Sequence, residues 1–204
     1  MRVTIGLKSH SGWAAAVAVG GSGDELQLVD RRRIELVEHG DISWAKQPYH
    51  AAEMLDASEA EALVTRGIES ARQIAIRELQ TVIEHLWTYG HEVEACALVM
   101  PSPMPDWSIA EILSVHIRMH KAEGVLFPEA LANAAQECRL KLVGVAEKQI
   151  DDIAKEAFGT NLESITDKLA ALGTAAGPPW GKDQKMAALA AVIAMHQLKP
   201  DSNA

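Results

Sequence analysis

The chain has 204 residues, 28 acidic against 19 basic, a formal charge of −9 at pH 7 and an apolar fraction of 48%. That composition excludes a disordered or fibrous chain, and the acidic balance argues against a protein that coats nucleic acid, because phosphate binding draws on clustered Lys and Arg. The charge is uneven: residues 1–50 carry six basic and six acidic groups, so the whole excess falls in residues 51–204.

The first fifty residues read as three consecutive antiparallel strands. Val3 to Leu7 is a short apolar run, and Trp13 to Val19 is a second, of small and β-branched residues. Lys8-Ser9-His10-Ser11-Gly12 is the turn signal between them. Gly20 to Asp24 marks the next turn, and Leu26 to Val37 alternates imperfectly around Arg31-Arg32-Arg33. From Ser58 the apolar period becomes 3.6: Leu63, Ile68, Ala71, Ala75, Leu79, Val82 and Leu86 trace one face toward Tyr89. Ser58 with Glu61 has the spacing of a capping box, Gly90 is placed as a stop, and Gly67 is the one point where the helix would break.

Glu94 to Met100 has an unbroken apolar core, which predicts a strand buried on both faces and hence central or parallel. Pro101, Pro103 and Pro105 end it. Ser108 and Glu111 form a second capping box, for a helix to about Lys121, and Pro128 opens a further helix to about Arg139. Leu140 to Ala146 is another strand, and Gln149 to Phe158 a helix with Gly159 as its stop. Thr160 with Glu163 predicts a short helix ending near Gly173, and Gly173 to Gly181 a flexible connection. The last helix starts near Lys182 and turns Met186, Leu189, Ala190 and Ile193 inward. Three antiparallel strands followed by strand–helix alternation predict an α/β fold, a mixed sheet with helices on both faces. Residues 1–198 are expected to form a single domain and residues 199–204 a tail.

Ile5-Gly6-Leu7-Lys8-Ser9-His10-Ser11-Gly12-Trp13-Ala14 resembles the opening strand and turn of the ribonuclease H-like superfamily. The likeness is nearest to the RuvC-type Holliday-junction resolvases, whose first strand reads I-G-I-D-P-G before a G-W-A segment. Lys182 to Ala190 is similar to that group's final helix, where an acid precedes an Ala- and Leu-rich face. The resemblance implies a ribonuclease H-like fold and, in active members, two Mg²⁺ ions held by clustered carboxylates. This chain departs from that pattern. Lys8 stands where the first-strand Asp is expected, Val99 or Met100 falls where the central-strand acid is expected, and Asp183 alone is retained. One carboxylate cannot hold two cations, so no metal set is assigned, and the expectation is a divergent, non-catalytic binding or assembly module without a cofactor. A homodimer formed through an apolar helix face is the expected assembly. The alternative is a phosphodiester or phosphoanhydride hydrolase with a rearranged site of Asp183, His10 and Asp106, for which Mg²⁺ would be the cofactor.

The turn also resembles that of actin-like ATPases. Ser9 and Ser11 could offer donors to an anion and Lys8 a charge, with Arg31 and Arg33 sharing one strand face as further substrate-binding candidates for phosphate or nucleic acid. Those ATPases carry the fold twice, and this chain has room for one copy. The Arg run beside Asp30, Glu35 and Glu38 reads first as a solvated strand that discourages edge pairing. His116 and His120, four apart on a helix, could ligate zinc with a third ligand, and Glu111 and Glu123 could extend the set. Without a third ligand they read as a solvated helix face. Trp44, Trp107 and Trp180 lie in or beside loops and read as lids on the core.

No run approaches the roughly 18–20 apolar residues of a membrane span. Met1 to Lys8 lacks the apolar core and cleavage site of a signal peptide. Cys96 and Cys138 lie in apolar-periodic surroundings and read as packed free thiols of a reduced, cytoplasmic protein.

Overall fold

A computed structural model describes residues 1–21, 25–38 and 43–198. The end of the glycine-rich turn (residues 22–24) and the expected tail, residues 199–204, lie outside the described residues. Five strands form one sheet: β1 (Arg2–His10), β2 (Trp13–Gly20), β3 (Gln27–Glu35), β4 (Glu92–Met100) and β5 (Lys141–Ala146), in the order β3-β2-β1-β4-β5. The first three pair antiparallel, and β4 runs parallel to both β1 and β5. This is the mixed sheet expected, with the apolar run of β4 in its interior.

β1 is longer than expected. Lys8, Ser9 and His10 pair with Ala15, Ala14 and Trp13, and only Ser11 and Gly12 remain as a two-residue turn. Gly12 has a φ of 85°, which a β-branched residue would resist, so the hairpin tightens at the glycine. The extension decides the chemistry of the site, because strand alternation places Gly6, Lys8 and His10 on one face and Ile5, Leu7 and Ser9 on the other.

On the Ile5 face, the buried side of α3 (Ala57–Thr88), including Ala71, Ala75 and Leu79, packs with Phe127, Leu131 and Ala134 of α5 (His116–Glu137). The helix α3 starts at Asp56 rather than Ser58: the Asp56 carboxylate accepts from the Glu59 amide at 2.9 Å. Gly67 does not break it. A Cβ there would lie 2.6 Å from Pro48, so the glycine is where the short helix α2 (Pro48–Ala52), which follows α1 (Ser43–Lys46), presses against α3.

The capping box at Ser108 and Glu111 is formed, but its helix α4 (Ile109–Leu113) stops after five residues. The chain bends at Ser114 and Val115, and α5 runs from His116 straight through Pro128. The proline was expected to begin a helix. It sits mid-helix instead, because Val125, Leu126, Phe127, Ala130 and Leu131 are all buried around it and hold the continuous segment in place.

On the other face, α8 (Lys182–Gln197) crosses the sheet with Ala187, Ala188, Ala190, Ala191, Ile193 and Ala194 buried. The alanines let it approach so closely that a Cβ at residue 6 would overlap the Ala187 carbonyl, so Gly6 is required there. α6 (Ile150–Phe158) and α7 (Leu162–Ala176) flank α8. α7 passes Gly173 and ends at Ala176, since the missing side chain at 173 receives the Trp180 indole. No Thr160 cap forms. The stretch expected to be a flexible connection is tied down: Arg31 donates to the carbonyls of Gly177, Pro178 and Pro179. Among the described residues no helix is long and apolar enough to cross a membrane.

Candidate functional site

In sheets with parallel strands, functional groups collect beyond the carboxyl ends of those strands. Here that end is reached by β1, β4 and β5, with the first turn of α8 beside them. Lys8 and His10 arrive from β1, Glu147 from the 3₁₀ turn that follows β5, and Asp183 from the first turn of α8, where a carboxylate also meets the positive end of the helix.

These four groups form two closed pairs. Lys8 Nζ donates to Glu147 Oε2 at 3.0 Å, with the Lys8 side chain only 12% exposed and that of Glu147 34% exposed. His10 Nε2 lies 2.9 Å from Asp183 Oδ1. The His10 ring stacks on Trp13, with centroids 4.6 Å apart and planes 16° from parallel. Arg33 lies over the same indole, its Cζ 4.1 Å from the centroid, and its Nε donates to Glu35. The layer at the hairpin end is therefore Arg33 on Trp13, with His10 stacked on the same indole and Asp183 bonded to His10.

The sequence candidates are distributed unequally over this site. His10 and Asp183 come together. Asp106 does not join them: it is exposed between β4 and α4 and makes no hydrogen bond or ion pair with the described residues. Lys8 is engaged by Glu147, Ser9 is buried on the opposite face, and Ser11 is exposed in the turn. Arg31 donates to the three carbonyls before α8, and Arg33, half-exposed, donates to Glu35, so both guanidinium groups are already engaged within the chain. Glu147 was not anticipated. Its only trace in the sequence is a carboxylate directly after the final strand, a position that gains meaning once β5 is known to lie beside β4.

The two-cation centre implied by the resemblance does not fit these residues. A pair of divalent ions needs an excess of anionic oxygens at the strand ends. Here the position on β1 carries an ammonium, Val99 is buried and apolar against α8, and the two carboxylates present are each bonded to a basic side chain.

A second cluster lies away from the sheet. His50 of α2 approaches His116 and His120 of α5, and one ring nitrogen from each lies within 4.8 Å of the others. The pair expected to be a solvated helix face thus has a third imidazole beside it. His50 escaped notice because it belongs to a five-residue helix with no periodicity of its own.

No family model and no curated protein matches the chain. Solved structures do. The structure of T. thermophilus RuvC in complex with a Holliday junction substrate is 12% identical, with 97% of this chain and 94% of that one aligned and a TM-score of 0.51. A second Thermus thermophilus RuvC structure is also 12% identical, over 95% of this chain and 93% of that one, with a TM-score of 0.48. With the first of these aligned over nearly both full lengths, and with the strand order above, the chain has the ribonuclease H-like fold, similar to that of RuvC resolvases.

Proposed function

We propose that this protein is a divergent, non-catalytic ribonuclease H-like module that acts by binding and assembly, as one folded unit over residues 1–198. The observation that carries the reading is the Lys8–Glu147 pair. An ammonium buried at the first-strand position and satisfied by a carboxylate from beyond β5 places fixed positive charge where divalent cations would have to sit. The binding role is supported by exposed apolar surface near α2 and the start of α5. Met54 is 93% and Ile117 61% exposed, with Leu55 and Val115 partly exposed beside them. We propose a second copy of the chain as the partner of this surface and the reducing cytoplasm as the setting, the latter supported by two unpaired cysteines. RuvC binds a Holliday junction substrate. Here the internal pairing of Arg31, Arg32 and Arg33 and the net charge of −9 favour a protein contact over nucleic acid.

Light scattering on the purified chain tests this. A dimer mass that falls to the monomer mass in the double variant Met54→Lys, Ile117→Lys supports assembly through this surface. A monomer at every accessible concentration contradicts it, and salt-sensitive binding of a four-way DNA junction would replace the protein partner with nucleic acid.

One observation favours a second reading. His10 held by Asp183 is an oriented imidazole, the arrangement that a general base uses, and a hydrolase acting through this dyad without Asp106 is the alternative. Hydrolysis of an activated phosphodiester that disappears in His10→Ala would establish it.

A further inference from the structure

We propose that His50, His116 and His120 form a zinc site that joins α2 to α5. This inference does not rest on the non-catalytic reading, since the cluster uses none of the residues at the strand ends. His116 and His120 are one helical turn apart at the beginning of α5, so their side chains share a face. The bend at Ser114 and Val115 aims that face at α2, where Pro48 in the first turn fixes the helix that carries His50. His116 Nε2 and His120 Nε2 are 3.1 Å apart. The ring of His50 lies 5.2 Å from that of His116 and 4.6 Å from that of His120, centroid to centroid. Nitrogens bound about 2.0–2.1 Å from one tetrahedral Zn²⁺ stand roughly 3.3 Å apart. The His116–His120 pair already has that spacing, and a His50 nitrogen within 4.8 Å of both needs only a small ring movement to join them.

Glu123 is the second, independent observation. Its side chain is only 6% exposed, yet it is a carboxylate, and burial of an anion is costly unless a positive charge answers it. One oxygen accepts from the His50 backbone amide at 3.1 Å, and the other lies 2.6 Å from His50 Nδ1, with Gln47 Nε2 donating to it at 3.4 Å. A proton on Nδ1 shared with this carboxylate leaves Nε2 of His50 with a free lone pair, the tautomer a metal requires. Carboxylate–histidine–metal relays of this kind orient ligands and raise their basicity. Glu53, with Oε1 3.6 Å from His116 Nδ1, plays the looser counterpart on the second imidazole. Three imidazoles suit zinc, and they leave a fourth position open on the exposed side, where His116 and His120 face solvent.

The test uses the full chain, stripped with chelator and titrated with Zn²⁺ against a chromophoric competitor, with Co²⁺ as a spectroscopic stand-in. One zinc per chain, a tetrahedral Co²⁺ visible spectrum and a raised Tm in zinc are expected. His116→Ala and His120→Ala should each abolish stoichiometric binding while leaving the metal-free Tm unchanged, because both side chains are exposed. Glu123→Gln keeps the shape and should weaken zinc binding by about 10–100-fold as a positioning residue. Absence of stoichiometric zinc in the unaltered chain, or binding that survives in both histidine variants, overturns the proposal.

Discussion

Lys8 decides how the strand-end site behaves. The Lys8 side chain is only 12% exposed against 34% for Glu147, so the two halves of the pair are not equivalent, and losing the carboxylate leaves the less solvated ammonium unpaired. Glu147→Ala strands the ammonium and should cost about 1–2 kcal/mol, a figure reduced for the one-third exposure of the carboxylate. Lys8→Met removes the charge and keeps the packing, so it should be near neutral or stabilising; denaturant midpoints of the two variants measure the difference. Cys96 makes a second case at this scale. Complete burial in β4 pushes its thiol up to about 12, with Cys138 nearby adding to the effect. Because the folded form holds the proton more tightly, this contribution to stability is whole below about pH 9 and is lost as pH rises toward 12. At pH 8 a thiol reagent should leave Cys96 unmodified until denaturant is added; rapid native labelling at Cys96 would refute its place in the core. Lys8 and Asp183 were legible at the strand-end site, Lys8 because it departs from the resembled pattern and Asp183 because it keeps to it. Glu147 and His50 were not, since each acquires its role through a partner 139 or 73 residues away.

Among the elements, all five strands and the long helix α3 were readable: β1, β2 and β4, buried on both faces, as unbroken apolar runs, and α3 by its helical period. The misses share a cause. The turn at Lys8 to Gly12 shortened to Ser11-Gly12 because β2 offered partners as far as Trp13. Pro128 stayed inside α5, and Gly67 and Gly173 inside α3 and α7, because tertiary packing outweighs local propensity, each glycine admitting a neighbour that no local rule reveals. The contact of β1 with α8 shows the same thing most sharply. Gly6→Ala would drive a methyl into the Ala187 carbonyl, and the helix cannot retreat without uncovering Ala190, Ala191 and Ile193. We expect a loss of about 1–3 kcal/mol or more, read as a lowered denaturant midpoint with unchanged slope. An unchanged midpoint would mean that α8 does not sit this close to β1.

For the whole molecule, the uneven charge takes on a structural meaning. The neutral first fifty residues form three of the five strands and half of the strand-end site, while the acidic excess follows them, much of it on exposed helix faces. The fold is ribonuclease H-like, and the residues at its strand ends are paired with one another. The most direct test is an assay of the purified chain with Mg²⁺ or Mn²⁺ on duplex and four-way-junction DNA. The account predicts no metal-dependent cleavage; cleavage that requires the ion and is lost in Asp183→Asn would contradict it.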